Sequence, residues 1–123
     1  MSERGTGTHL KDPAALRIES GIVVCDGRPL DLPLPVTDAR QVGDRIVVLY
    51  DPMSGPRFRQ FPNVEAYGPG GARLWVARHP TSETADVYVR FLSTTPLRLY
   101  SFAGFECELD PATGRIVHAV FTK

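Results

Sequence analysis

The chain is poor in the residues that usually announce chemistry. Its 123 residues hold two cysteines, Cys25 and Cys107, and three scattered histidines, His9, His79 and His118. No Cys-x-x-Cys pair occurs, which argues against a close-spaced zinc site or a dithiol redox motif. A metal site drawn from His79, His118 and a cysteine or carboxylate would lack paired spacing, so none is expected. Lysine is nearly absent: Lys11 and Lys123 are the only two among 14 basic residues, and these balance 14 acidic ones to a net charge of +0. That balance excludes a nucleic-acid or membrane surface held by bulk electrostatics. No apolar run reaches the length of a membrane span. The polar start Met1-Ser2-Glu3-Arg4 lacks the apolar segment of a secretion signal, so a cytoplasmic location is expected. The arginine excess points to a GC-rich bacterial genome. No P-loop, dinucleotide fingerprint or Gly-x-Ser-x-Gly occurs, and no cofactor is expected.

Long helices are also disfavoured, by 11 prolines and 11 glycines. What is present is alternation with period two. The strand expectations are Gly21–Cys25, Leu30–Leu34, Arg45–Asp51, Arg57–Phe61, Asn63–Tyr67, Ala72–Arg78, Asp86–Leu92, Leu97–Phe102, Phe105–Asp110 and Arg115–Phe121. Turn residues separate them at short intervals. This predicts an all-β domain: an antiparallel meander of roughly eight to ten strands, forming a small sandwich or a partly closed barrel. Residues 1–11 read as a flexible tail and 12–123 as a single β domain. Asp12-Pro13-Ala14-Ala15-Leu16 has the cap and first-turn residues of one short N-terminal helix.

One turn spelling, Asp-Pro-x-Ser/Thr-Gly, occurs twice: Asp51-Pro52-Met53-Ser54-Gly55 and Asp110-Pro111-Ala112-Thr113-Gly114. Proline has a φ suited to starting the turn, and glycine supplies a left-handed position that realigns the strands. Both are expected to close hairpins. In the second, Asp110 would face Arg115. Phe105, Cys107, Leu109, Ile116, His118 and Val120 would then share one face, and Glu106, Glu108, Val117, Ala119 and Phe121 the other. In the hairpin around Pro69-Gly70-Gly71, Gly68 would face Ala72. Val64, Ala66, Leu74 and Val76 would then be core, with Glu65, Tyr67, Arg73 and Trp75 on the opposite face.

These segments carry a family resemblance. Leu109-Asp110-Pro111-Ala112-Thr113-Gly114 is similar to the quinoprotein-type β-propeller repeat in its Asp and Thr-Gly spacing, with His118 where that pattern has tryptophan. Ala66 to Trp75 keeps the pattern's alanine and tryptophan but lacks the aspartate. The resemblance implies hairpin geometry and not quinone binding, because a propeller needs roughly 4–8 four-stranded blades. The Asn63-Val64-x-Ala66-Tyr67 segment and the ending from Gly104 to Lys123 also resemble a set of short, uncharacterised bacterial proteins, a likeness that carries no function.

Four groups of side chains are candidate sites. Cys107 and His118, facing each other in this register, could form a thiolate nucleophile, since an imidazolium lowers a thiol's pKa. The structural reading is a buried cysteine against a half-buried histidine. Glu65, Tyr67, Arg73 and Trp75 combine the residue types that dominate interface hot spots; structurally, the same set could pack beneath a loop. Tyr50, Arg57, Arg59 and Tyr100 could line a cleft that binds a carboxylate or phosphate. Glu106 and Glu108 read as a wet face. The expected function is a non-enzymatic interaction or accessory module, immunity-like, binding another protein or a second copy of itself. The alternative is a small-ligand-binding or enzymatic barrel. The first predicts an exposed Trp75, the second an enclosed cavity of roughly 300 Å³ or more.

Overall fold

A computed structural model describes residues 16–122. Among these described residues eleven strands form three antiparallel sheets. The first sheet holds β1 (Leu16–Glu19), β2 (Ile22–Cys25) and β3 (Arg28–Pro29). The second holds β4 (Val36–Val42), β5 (Arg45–Tyr50), β6 (Val64–Tyr67) and β7 (Arg73–Val76), in that order. The third runs β11-β10-β9-β8, from β8 (Tyr88–Thr94) through β9 (Leu97–Ser101) and β10 (Phe105–Leu109) to β11 (Ile116–Phe121). The fold is thus an all-β, sandwich-like antiparallel meander. Among the described residues the sheets stay open and no barrel closes. The described residues contain no α-helix, and the expected helical turn at Asp12–Leu16 lies outside them except for Leu16, which opens β1. The expected tail, residues 1–11, also lies outside them.

Short turns generate this order. Ser20-Gly21 and Asp26-Gly27 all have positive φ, the requirement of type I′ hairpins, and connect β1 to β2 and β2 to β3. Gly43, at φ 65°, leads the two-residue turn from β4 to β5. The repeated Asp-Pro corners behave differently from each other. Asp110 accepts bonds from Thr113 N and Gly114 N and donates its own N–H to Arg115 O at 2.8 Å, a closed hairpin corner with Gly114 at φ 75°. Asp51 caps a single 3-10 turn at Pro52–Ser54, but Gly55 is extended (φ −84°) and the chain wanders to Asn63 before pairing again. The expected strand Arg57–Phe61 lies within that connection.

The second sheet is the middle layer. From β5, Val47 and Leu49 enter a core shared with Tyr88, Phe91, Leu97, Leu99, Cys107 and Leu109 of the third sheet. Ile46, Val48 and Tyr50 enter a second core with Val23, Val36 and Phe61, flanked by Leu16, Ile18 and Cys25. Leu30, Leu32 and Leu34 pack on this second core in alternation, as expected, yet Pro29, Pro33 and Pro35 withhold the donors a ladder needs. Beyond Leu30, whose N–H donates to Val23 O at 2.8 Å, that segment therefore crosses over the middle sheet without forming a strand. Three strands are absent from the sequence expectations: β1, beside the tail; the two-residue β3, just before the expected Leu30–Leu34; and β4, whose Thr37, Asp38, Arg40 and Gln41 dilute its apolar signal.

Candidate interaction surface

Tyr50, Glu65, Tyr67 and Arg73, which the sequence divides between two candidate sites, meet at one point of the middle sheet. Registers Ile46↔Tyr67 and Val48↔Glu65 bring β5 and β6 side by side. Tyr50 Oη donates to Glu65 Oε1 at 2.8 Å and Tyr67 Oη to the same oxygen at 2.6 Å. Arg73 Nη1 reaches Glu65 Oε2 at 3.3 Å. Burial and the bonds to Tyr67 and Glu65 push the Tyr50 phenol well above its ordinary value. Burial and the Glu65 bond raise Tyr67, with Tyr50 and Arg73 pulling the other way. Both phenols therefore stay protonated and donate. Glu65 and Tyr67 are buried against the second core, leaving only the Arg73 end at the surface. Both carboxylate oxygens are engaged, so the cluster is a satisfied buried network.

Trp75 corrects the expected face. Gly68 N bonds Ala72 O and Tyr67 faces Arg73, as expected, but Leu74 is an extra residue: Ala66 then pairs with Trp75 and Glu65 with Val76. A bulge of this kind reverses which face each later residue occupies. Trp75 consequently sits in the core between the second and third sheets, 7% exposed, while Leu74 points outward. Its Nε1 donates to Pro111 O at 2.9 Å, and its ring covers Gly114, where a Cβ would lie 2.4 Å from Trp75 Cε3.

The same displacement separates Cys107 from His118. Leu109 pairs with Ile116 but Glu108 pairs with His118, leaving Val117 as the extra residue. Cys107 points into the core and His118 lies exposed beside Glu108 on the other face. Burial pushes the Cys107 thiol up to about 11; the Tyr88 hydroxyl lowers it and the Asp86 charge raises it further. The thiol is held protonated at neutral pH, without the imidazole partner expected of it. Arg57 and Arg59 stand exposed in the connection after β5, while Tyr100 lies on the outer face of the third sheet with Arg90 stacked 4.6 Å above its ring. These residues do not share a cleft with the buried Tyr50. Among the described residues no group of three His, Cys, Asp or Glu side chains could hold a metal ion. An open cleft of about 580 Å³ runs past Gln60, Arg78, His79 and Thr81. There His79 Nε2 lies 2.6 Å from Phe61 O, and the imidazole edge is turned into the protein.

The surface that stands apart is β11. It is the edge of its sheet, and Val117 (57%), Val120 (44%) and Phe121 (57%) are exposed on it. The bond from Thr122 N to Gly104 O at 2.9 Å fixes its hydrogen-bonding phase. Residues 118, 120 and 122 direct their backbone toward β10, so Ala119 and Phe121 present N–H and C=O to the open side. The other outer strands are guarded by charge, bulges or proline, devices that block strand addition. Strand β4 carries Asp38, Arg40 and a bulge at Thr37. Strand β8 carries Arg90 and two bulges, at Val89 and Leu92. Strand β7 carries Arg73 and the bulge at Leu74, β1 carries Arg17 and Glu19, and β3 is Arg28–Pro29. Beyond its own bulge, β11 has no charged residue. The uncharged run is visible in the sequence. An edge strand near Phe121 is also expected from the sequence, and the strand order places β11 there.

Comparison with known proteins adds a family and little else. No curated protein and no solved structure matches the chain, and no quinoprotein or propeller relationship is found. No described helix is long and apolar enough to cross a membrane. A family profile described as Domain of unknown function (DUF7957) matches residues 15–121, from just before β1 to the end of β11, and the chain belongs to that family.

Proposed function

We propose that the chain is a non-enzymatic protein-interaction or accessory module, of the kind an immunity-like bacterial protein would be, and that it docks by adding a strand to β11. One observation carries this reading: β11 is an uncharged edge with outward backbone donors and acceptors and exposed Val117, Val120 and Phe121. Strand addition uses such an edge for affinity and alternate side chains for selectivity. The candidate catalytic groups are sealed, separated or internally satisfied, which removes the main support for a reaction. The docking surface differs from the Glu65, Tyr67, Arg73 and Trp75 face expected from sequence, since three of those four side chains are buried.

A photo-crosslinking amino acid placed at Val120 tests the reading in the producing cell, with the equally apolar, exposed Leu74 of β7 as control. Covalent adducts at Val120 and none at Leu74 are expected. No adduct at Val120, or equal labelling at both positions, would overturn it.

A further inference from the structure

We propose that the occupant of the β11 edge is a second copy of this chain, paired antiparallel about a twofold axis at Val120. This rests on the docking reading above and adds the identity and register of the partner. Past the bulge at Val117, the regular bonding to β10 runs from His118 through Phe121, where β11 ends, and one residue further to Thr122, whose N–H donates to Gly104 O. The midpoint of this stretch is Val120. Only Ala119 and Phe121 in this stretch turn their backbone groups outward, and they stand symmetrically on either side of that midpoint.

A twofold axis there pairs Ala119 with the second copy's Phe121 and Phe121 with its Ala119. Each pair can exchange two N–H···O bonds, so every outward group of the stretch finds a partner. The small alanine lies against the large phenylalanine on the same face, the Phe105 side. Val120 meets its symmetry mate across a non-hydrogen-bonded position, where Cα atoms approach to about 4.5 Å. His118 faces Thr122 of the second copy. No like charges oppose each other, because Ile116–Phe121 contains none. A self-complementary patch of this kind is what a twofold interface requires. The result is one continuous eight-stranded sheet built from two four-stranded ones.

Light scattering on the purified chain, from micromolar to submillimolar concentration, should give twice the chain mass. Ala119→Pro should give the single-chain mass. The lost N–H points away from β10, and proline is tolerated on the open side of an edge strand, so the far-ultraviolet spectrum should be retained. Should that variant fail to fold, Val120→Lys replaces it: two lysines at the axis should return the single-chain mass on a solvent-facing position. Val120→Cys in a Cys25→Ser background should form an intermolecular disulfide on mild oxidation, because a 4.5 Å Cα separation lies within the range of about 4.4–6.8 Å that disulfides span. A single-chain mass for the unmodified protein at every concentration would overturn the second-copy proposal. So would a dimer that survives both Ala119→Pro and Val120→Lys. The Val120 crosslinker separates the two levels: an adduct with a different protein leaves the docking reading standing without the dimer, and no adduct ends both.

Discussion

Strands β5 and β11 are each six residues long and almost wholly apolar, Arg45–Tyr50 and Ile116–Phe121. Five of the six β5 residues are buried, on both faces, whereas no β11 residue is. Composition does not distinguish them. Position does: β5 has strands on both sides and a sheet above and below, and among the described residues β11 has one neighbouring strand and little cover. The same apolar letters therefore stabilise the fold in one place and offer a surface for association in the other.

That contrast can be tested by how much each strand contributes to stability. Leu49→Ala in β5 should cost about 2–5 kcal/mol in urea unfolding, the range for large-to-small changes in a packed core. Val120→Ala, measured at concentrations where the chain is single, should stay within about 0.5 kcal/mol, as solvent-facing changes do. Equal losses would erase the distinction. Between these extremes lie the two Asp-Pro corners. Gly114→Ala should destabilise by about 2–3 kcal/mol, since it meets both a left-handed φ, which alone costs about 1–2 kcal/mol, and the Trp75 ring. Gly55→Ala should cost less: its Cβ would press on Phe61, at 2.3 Å, but its φ is one any residue adopts. The reverse order would mean that the ring seat, and not the backbone, sets the demand for glycine.

The smallest effect concerns pH. The Tyr50, Tyr67, Tyr88 and Cys107 acids are all raised in the folded chain, chiefly by burial, so they hold their protons longer than in the unfolded chain. The stability they contribute is complete below their unfolded values, near pH 9–10, and falls as pH rises beyond them. The urea midpoint should be flat from neutrality to about pH 9 and drop above it. Tyr67→Phe should make that drop shallower. A midpoint that rises with alkali would contradict the buried network.

Much of the architecture is legible in the sequence because hairpins are local. Glycine, proline and aspartate are enough to locate both the Gly68–Ala72 and the Asp110–Arg115 closures. The faces beyond them are not legible in the same way, and for one reason in both hairpins: an extra residue, Leu74 or Val117, reverses the alternation one step past the turn. A signal exists in each case, since Leu74-Trp75 and Ile116-Val117 place two large apolar residues side by side, which strict alternation on a one-sided sheet does not allow. Val89 and Leu92 in β8 repeat the pattern, each the unmatched residue of a bulge and each exposed. The buried Tyr50–Glu65–Tyr67 network is half-visible, its members identifiable but divided between two candidate sites. Only the pairing of β5 with β6 across a long connection unites them, and alternation within single strands carries no record of that pairing.

The seat of the indole has one last consequence. The chain has a single tryptophan. Lodged between the middle sheet and the corner of the outer one, it is a built-in optical gauge of whether those two layers remain together. Its emission would shift when they part, and would stay silent if the small first sheet alone peeled away.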